Sequence, residues 1–323
     1  MSETIKKILV TGSSGTIGTR LMEKLLEQGY QVIGVDWRPN QWSKTVNDFT
    51  IIGDLRDKAV LQKLPNDFDL VIHLAANARV YNLVVDPSMA RDNFETTFNV
   101  LEFTLQNKIK RFMFASSRET YGNTEQIKYS EGDVRLANCE SPYTASKIAG
   151  EAMVYGYGRC YNIDFVVFRF SNVYGMYDGS DRAVPLFIGL AKDNKPITIF
   201  GQDKLLDFTY IDDCVAGIMA AIANFATAKN DTYNLGAGQG STIVEVAQMI
   251  VGALKSQSQI IIQDNRTGEV VKFIADITKA QQKLGYQPKV FIKDGLAKSI
   301  EWYQQNNFNE WYYQKNQKRQ VFE

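Results

Sequence analysis

The sequence has few of the residues that build metal and disulfide sites. It contains three cysteines and one histidine in 323 residues, and no two cysteines are close enough for a C-x-x-C pair. This composition argues against a zinc site and a disulfide framework, and it favours a reducing compartment. We therefore expect a cytoplasmic protein without a bound metal. The single histidine, His73, ends an apolar run, and this position favours a role in the core over a catalytic one.

Excess charge and long apolar runs are also missing. Lys plus Arg number 36 and Asp plus Glu number 36, so the overall charge indicates neither a nucleic-acid partner nor a membrane-surface partner. No apolar stretch is long enough to span a bilayer, and the polar start Met1–Lys7 is not typical of a signal peptide. A globular protein with one large domain or two coupled ones is expected.

Short apolar runs alternate with amphipathic stretches in the first half of the chain. Such alternation predicts an α/β fold with a Rossmann-type, doubly wound parallel sheet. The predicted strands are Ile8–Thr11, Gln31–Asp36, Leu70–Leu74, Arg111–Ser116 and Asp164–Arg169, and the predicted helices are Ile17–Gln28, Ala90–Gln106 and Ser141–Gly156.

The pattern changes after about Tyr174, where loops, a short strand at Pro196–Phe200 and two helices, Asp212–Ala223 and Ile243–Leu254, follow. We interpret this part as a smaller C-terminal α/β domain that binds substrate. The predicted boundaries are 1–174 for the first domain, with 207–236 packing back on it, and 175–206 with 237–323 for the second. The chain from Glu301 onward is expected to be a closing helix with a frayed end.

A glycine-rich turn follows the first predicted strand and opens a helix. Gly12 allows the tight turn, Gly15 lets the backbone approach a pyrophosphate, and Gly18 lets the helix pack close to the sheet. Asp36, at the end of the second strand, would accept hydrogen bonds from ribose hydroxyls and repel a 2′-phosphate. NAD is therefore favoured over NADP, although Arg38 tempers this preference. The other residues predicted along the cofactor path are Ser14, Thr16, Ile17, Trp37, Asp54, Leu55, Leu74, Ala75, Ala76 and Asn99.

Specific contacts are expected for two of these residues. Asp54 would lie beside the adenine amino group. Asn99, in a predicted helix, would be a buried amide that bonds backbone near the active site.

A tyrosine and a lysine four residues apart form the predicted catalytic pair. Ser141 and Pro142 are typical of a helix start, so Tyr143 and Lys147 share one helix face. A nearby ammonium and a positive nicotinamide ring would lower the phenol pKa from its usual value of about 10, which makes the phenolate a base for a sugar hydroxyl. Ser117, at the end of the fifth strand, would stabilise charge on the same oxygen.

Together these features resemble the extended branch of the short-chain dehydrogenase/reductase superfamily, in particular its nucleotide-sugar epimerases, dehydratases and decarboxylases. The resemblance runs from Lys7 to about Gly285. It rests on the segments TGSSGTIG, HLAA, SSRETYG, YTASK, RFSNVYG and DFTYIDD.

The resemblance implies that Ser117, Tyr143 and Lys147 carry the redox step, with Lys147 also holding the nicotinamide ribose. Phe170 and Val173 would touch the nicotinamide end of the cofactor.

The resemblance also implies substrate contacts. Asn172 and Arg266 would hold the diphosphate, and the strand that contains Ile199 would pack near the nucleotide base. Many family members carry an arginine where this chain has Leu206, so one phosphate contact is missing or comes from elsewhere, with Lys204 as a candidate.

Arg118 and Glu119 form the second departure from the family pattern. Epimerases usually carry small residues here, whereas dehydratases and decarboxylases place a glutamate at the position of Glu119. Dehydratases also have an aspartic acid at the position of Arg118, and a guanidinium cannot replace it as an acid. Arg118 or Arg79 would instead suit a substrate carboxylate.

Several reactions remain open at this point. We expect a nucleotide-sugar 4-epimerase that acts through a 4-keto sugar, on a UDP-hexose or UDP-uronate. The alternatives are a 4,6-dehydratase or a UDP-glucuronate decarboxylase that uses Glu119, a ketosugar reductase, and a catalytically silent NAD-binding regulator. The resemblance further implies a homodimer formed by the helices at Ala90–Gln106 and Tyr143–Gly156.

Overall fold

Seven parallel strands form the main sheet of the computed structural model, which describes residues 4–306. The doubly wound α/β class predicted from the sequence is confirmed. In spatial order the sheet reads β11-β7-β5-β4-β1-β2-β3. Its strands are β1 (Lys7–Thr11), β2 (Gln31–Asp36), β3 (Thr50–Ile52), β4 (Leu70–His73), β5 (Arg111–Ser117), β7 (Asp164–Phe170) and β11 (Asp231–Leu235).

Helices cover both faces of this sheet, because its strands are apolar on both sides. On β1, Ile8 and Val10 face one core with the first helix, whereas Leu9 faces the other core with the long helices of the opposite layer. The helices of the first half are α1 (Thr16–Glu27), α2 (Lys44–Asp48), α3 (Lys58–Gln62), α4 (Val80–Val85), α5 (Ser88–Gln106) and α6 (Pro142–Tyr161). Short 3₁₀ turns cover Arg118–Tyr121, Glu131–Asp133 and Leu136–Asn138.

A smaller layer of strands lies at the carboxyl end of the main sheet. Its five-stranded sheet has the order β12-β10-β14-β6, with β8 also paired to β10, and a separate pair joins β9 to β13. These strands are β6 (Lys128–Tyr129), β8 (Asn172–Tyr174), β9 (Ile197–Phe200), β10 (Leu205–Tyr210), β12 (Gly240–Thr242), β13 (Ile260–Gln263) and β14 (Lys272–Ala275). The helices of the second half are α7 (Ala183–Lys192), α8 (Ile211–Ala223), α9 (Phe225–Ala228), α10 (Ile243–Ala253), α11 (Thr278–Leu284) and α12 (Ile292–Gln305).

The segment 207–236 belongs to both layers. Its first strand residues lie in β10 of the smaller sheet, α8 packs beside α1, and β11 adds to the edge of the main sheet. Asp207 fixes this arrangement, because its buried carboxylate accepts hydrogen bonds from the amides of Ala237 (2.8 Å), Gly238 (2.9 Å) and Ala275 (3.2 Å). The predicted domain boundaries stay a prediction.

The main predicted elements lie within a few residues of their observed bounds. At α6 the helix continues five residues past the predicted end to Tyr161 and stops at Asn162, whose φ of 56° is left-handed. The closing helix was predicted from Glu301 onward, but α12 begins nine residues earlier, at Ile292, and ends at Gln305; the expected frayed end falls at residues 307–323, outside the described residues. Between residues 4 and 306 no helix is long and apolar enough to cross a membrane.

Candidate active site

A cavity of about 300 Å³ lies between the carboxyl end of the main sheet and the smaller layer. Ligands of doubly wound sheets bind at this edge. Residues from both layers line it, and they include Ser117, Tyr143 and Lys147 from the first part and Thr198, Phe200 and Arg266 from the second.

Close backbone contacts in the turn after β1 require glycine at two of its positions. Gly12 has a φ of +73°, and a Cβ there would lie 2.7 Å from the amide nitrogen of Ala75. A Cβ on Gly18 would lie 2.0 Å from the carbonyl oxygen of Gly12. Gly15 has that same oxygen as its only such neighbour, at 3.2 Å. Two glycines therefore allow the turn to fold, and the third leaves the first turn of α1 open.

Two side chains of this turn fit a dinucleotide. The Ser14 hydroxyl oxygen is buried and has no hydrogen-bond partner among the described residues, so the site offers a polar group to a ligand. The Asp36 carboxylate accepts hydrogen bonds from the amides of Ser14 (3.0 Å) and Arg38 (3.2 Å). Burial raises the pKa of Asp36, and these two amides oppose the rise.

The other predicted cofactor residues are divided between the cavity and its surroundings. Ile17, Leu74 and Ala76 line the cavity, together with Phe170 and Val173. The Thr16 hydroxyl donates to the carbonyl of Tyr177 at 3.4 Å, and the amide of Ala75 donates to the Thr11 hydroxyl at 3.3 Å.

The predicted adenine end is more open. Trp37 is 65% exposed, and Asp54 forms an ion pair with Arg56. Asn99 is buried, but it donates to the carbonyls of Leu55 (3.0 Å) and Arg56 (3.3 Å) and does not line the catalytic cavity. The expectation of a bond near the active site was therefore wrong: Asn99 supports the turn after β3, where the chain passes over α5.

His73 is a core residue. Its ring nitrogens hydrogen-bond the hydroxyls of Thr11 (2.7 Å) and Thr97 (3.2 Å). Burial lowers the pKa of His73 to about 3, so the imidazole is neutral at physiological pH.

The start of α6 positions the tyrosine and the lysine. The Ser141 hydroxyl caps the helix by accepting from the amide of Thr144 at 3.1 Å, and Pro142 is the first helical residue. Tyr143 and Lys147 both lie in the cavity wall. The ammonium of Lys147 donates to the carbonyl of Ala115 at 2.8 Å.

Burial has a larger effect on the pKa of the Tyr143 phenol than the neighbouring charges have. Burial raises the pKa of Tyr143, and the hydrogen bond with the Ser117 hydroxyl is the largest effect that lowers it. The ammonium of Lys147 lies 5.8 Å from the centroid of the Tyr143 ring, and the lowering of the phenol pKa by this ammonium and a bound nicotinamide ring stays a prediction. Burial also lowers the pKa of Lys147, to about 8, because its ammonium is enclosed.

Arg118 and Glu119 form a buried ion pair in the 3₁₀ turn after β5. Arg118 Nη2 lies 2.8 Å from Glu119 Oε1, and Arg118 Nε donates to Asn172 Oδ1 at 3.3 Å. The other carboxylate oxygen of Glu119 accepts from the amide of Val270 at 3.2 Å. Burial raises the pKa of Glu119, while Arg118 opposes this. Both oxygens of the proposed base are therefore already engaged.

The other predicted cations at the cavity, Arg79, Lys204 and Arg266, also contact side chains of the protein. Arg79 pairs with Asp181 at 3.1 Å, and Lys204 pairs with Glu269 at 2.7 Å. Arg266 lies over the ring of Phe200, with its guanidinium carbon 3.8 Å from the ring centroid. It also lies 4.9 Å from the ring centroid of Tyr81.

The prediction for Ile199 was wrong. Alternate side chains of a strand point to opposite faces, and Ile199 is 1% exposed in the core. Its neighbours Thr198 and Phe200 line the cavity instead.

A further buried carboxylate of the site, Glu151, was not among the residues predicted from the sequence. It lies one helical turn after Lys147, raises the pKa of that lysine, and pairs with Arg169 at 2.7 Å. It also accepts a hydrogen bond from Ser116. The four-residue spacing of Lys147 and Glu151 was the signal that could have found it.

This arrangement provides a phenol, a hydroxyl and an ammonium in one enclosed place, next to a turn shaped for a pyrophosphate. Within residues 4–306 no group of three His, Cys, Asp or Glu side chains could hold a metal ion. The phenol of Tyr143, the hydroxyl of Ser117 and the ammonium of Lys147 fit proton transfer at a hydroxyl beside a dinucleotide.

Known proteins agree with this arrangement. Residues 8–236 match the model of the "NAD dependent epimerase/dehydratase family". The chain is 32% identical to a putative UDP-glucose 4-epimerase of Methanocaldococcus jannaschii, over 93% of this chain and 99% of that one. It is 30% identical to a UDP-glucuronate 4-epimerase of Thermodesulfobacterium geofontis, over 92% of this chain and 96% of that one. A dTDP-glucose 4,6-dehydratase from Streptomyces venezuelae, solved with NAD bound, superposes with a TM-score of 0.86 at 25% identity, over 93% and 98% of the two chains.

Proposed function

The chain belongs to the NAD-dependent epimerase/dehydratase family, and on that premise we propose that it is a nucleotide-sugar 4-epimerase acting through a transient 4-keto sugar. NAD is the cofactor of this family, and when bound it supplies a reversible acceptor for hydride. The glycine turn, Ser14 and Asp36 would hold it. We propose a UDP-hexose or a UDP-uronate as substrate, as in the names of the two relatives above.

The contacts of Glu119 are the observation that favours epimerisation over dehydration. A dehydratase needs a free base and an acid near C5 and C6 of the sugar. Glu119 is bound by Arg118 and by the amide of Val270, and Arg118 cannot act as an acid because its guanidinium stays protonated. Ser117 and Tyr143 need no such partners to work on a C4 hydroxyl.

The proposed roles follow from these positions. Tyr143 takes the proton of the C4 hydroxyl and later returns it, and Ser117 hydrogen-bonds the same oxygen. Lys147 is held at the Ala115 carbonyl, and the charge of Glu151 raises the pKa of its ammonium. The 4-keto sugar then has to present its other face. Phe170, Leu206 and Phe208 give the cavity an apolar wall on which the sugar ring can turn.

A second candidate is decarboxylation or 4,6-dehydration with Glu119 as the base. The burial that raises the pKa of Glu119 favours it, because a carboxyl with a raised pKa suits proton transfer near neutral pH. A silent NAD-binding regulator is the candidate of another class, and the complete set of Ser117, Tyr143 and Lys147 argues against it.

The homodimer stays a prediction. Two aromatic side chains of α5, Phe94 and Phe98, are 45% and 37% exposed, and α5 packs beside α6. A second copy covering this face is consistent with that exposure.

One experiment tests the proposed function. The purified protein is incubated with and without added NAD, together with UDP-glucose, UDP-glucuronate, UDP-N-acetylglucosamine or GDP-mannose, and the products are resolved by chromatography and mass. We expect a product of unchanged mass with a shifted retention. Loss of water or carbon dioxide would move the assignment to a dehydratase or a decarboxylase. If neither the wild type nor Tyr143→Phe forms any product, the result would favour the silent NAD-binding regulator.

A further inference from the structure

Arg118 has one buried nitrogen that the protein leaves without a partner. The residue is 8% exposed and lines the cavity. Its Nε donates to Asn172, and its Nη2 pairs with Glu119. Among the described residues nothing accepts a hydrogen bond from Nη1, which is also out of contact with solvent.

An unsatisfied donor of this kind is costly. A buried charged group that lacks a hydrogen bond loses more free energy than a neutral one, and the partial pairing with Glu119 recovers only part of it. A guanidinium donates from fixed positions in one plane and matches the geometry of a carboxylate. The orphan nitrogen is therefore explained by an acceptor that arrives with the ligand.

The position of Arg118 indicates which part of the ligand supplies that acceptor. It directly follows Ser117, the residue proposed to hold the C4 oxygen, and its charge is close enough to lower the pKa of Tyr143. Arg118 therefore lies at the reacting end of the cavity. In a hexuronate the carboxyl carbon is bonded to C5, which is adjacent to C4, so a residue beside Ser117 is well placed to reach it.

We propose that Arg118 recognises the carboxylate of a hexuronate, so that the sugar of the substrate is a nucleotide-linked uronic acid. This assignment rests on the proposed function, because it places the C4 oxygen at Ser117. A guanidinium forms a stronger hydrogen bond with a carboxylate than with a neutral C6 hydroxyl, so Arg118 favours the uronate over the hexose.

Asn172 and Glu119 then act as positioning residues. Asn172 is itself fixed, since its amide nitrogen donates to the carbonyl of Asp207 at 3.1 Å. Glu119 is fixed by the amide of Val270. The two side chains hold Nε and Nη2 and leave Nη1 for the ligand.

The test measures binding apart from turnover. Every protein carries Tyr143→Phe to block the reaction and is saturated with NAD. The dissociation constants of UDP, UDP-glucose and UDP-glucuronate are then measured by calorimetry. We expect UDP-glucuronate to bind more tightly than UDP-glucose.

The variant for this test is the double change Arg118→Met and Glu119→Gln, which removes both charges and leaves no buried carboxylate unpaired. We expect the double change to weaken the binding of UDP-glucuronate about tenfold to a hundredfold, which is the range for loss of a hydrogen bond to a charged group. The dissociation constant of UDP should stay within about twofold, which also reports a folded site. The dissociation constant of UDP-glucuronate for Arg118→Lys should lie between those of the protein with Arg118 and of the double variant, because lysine keeps the charge and loses the planar fork.

Arg20→Met is the matched control, because Arg20 is another largely buried arginine with a carboxylate partner, Asp212, and is not among the residues that line the cavity. It should leave the preference for UDP-glucuronate unchanged. Equal affinity for the two sugars before the double change would overturn the assignment. Equal weakening of all three ligands by the double change would also overturn it and would place Arg118 at the diphosphate. Failure of all three UDP compounds to bind would contradict the proposed function, and the assignment would fall with it.

Discussion

The cofactor end and the substrate end of the cavity are built in different ways. At the cofactor end, the backbone makes the site: Gly12 and Gly18 allow one close turn, and Asp36 accepts from an amide of that turn. At the substrate end, charged and polar side chains from distant segments hold one another, as Arg118 and Asn172 do. The backbone-built end is short in sequence and tolerant of little change, whereas the end built from side chains can change specificity one residue at a time.

Tyr143, where the two ends meet, should show the largest effect. Tyr143→Phe removes the proposed base and keeps the ring, so kcat should fall by about 10²–10⁴-fold while the affinity for NAD stays the same. Steady-state kinetics and NAD titration would check this. Wild-type turnover in the variant would remove Tyr143 from the mechanism.

Gly18 tests whether the cofactor end depends on its backbone. Gly18→Ala would place a Cβ 2.0 Å from the carbonyl oxygen of Gly12, and we expect a loss of about 1–3 kcal/mol in the free energy of unfolding together with weak NAD binding. Gly156, on α6, is the control because, among residues 4–306 and apart from its own helix turn, no atom would lie within 4 Å of a Cβ there. Gly156→Ala should stabilise by roughly 0.5–1 kcal/mol in the same denaturant titration. Equal effects of the two changes would show that the turn has room to adjust.

Asp36 tests the one side chain on which cofactor choice depends. Asp36→Asn keeps an acceptor for the amide of Ser14 and removes the charge, so NAD should bind about tenfold more weakly and discrimination against NADP should relax. Asp48→Asn is the matched control, because Asp48 is paired with Lys44 on α2 and exposed, and it should change either affinity by less than about twofold. An unchanged ratio of NAD to NADP affinity in Asp36→Asn would place Asp36 away from the ribose.

The smallest effect is expected at His73. Because burial lowers its pKa to about 3, the ring signals of this single histidine should stay constant in NMR spectra between pH 8 and pH 5. The urea-unfolded chain should titrate near 6.5. The unfolded state then binds more protons between these two pKa values, so the contribution of His73 to stability is complete above pH 6.5 and declines as the pH falls below it. An inflection near 6.5 in the folded protein would contradict a buried, neutral ring.

The same contrast explains what the sequence could predict. The glycine turn and the pair Tyr143 and Lys147 could be predicted because each depends on short spacing. Ile199 was assigned to the wrong face because a four-residue strand with apolar residues at both ends does not reveal which side faces the cavity. The pairing of Lys204 with Glu269 joins residues 65 positions apart, and no local pattern encodes it.

Arg266 shows the same limit. Its residue type predicted a phosphate contact, but its place between the rings of Phe200 and Tyr81 depends on how three separate segments meet. Asn99 was correctly expected to be buried and to bond backbone, and the error lay only in where that backbone runs.

The place of β11 at the edge of the main sheet has a consequence for synthesis. Its partner β7 leaves the ribosome about sixty residues earlier, and at roughly 5–20 residues per second this leaves several seconds between them. During that interval the nascent chain presents the apolar run FVVF of β7 as an unpaired edge, the kind of surface that chaperones cover and that aggregates form on. Slowing translation between residues 170 and 231 should therefore lower the soluble yield of this protein, even though no residue of the finished enzyme has changed.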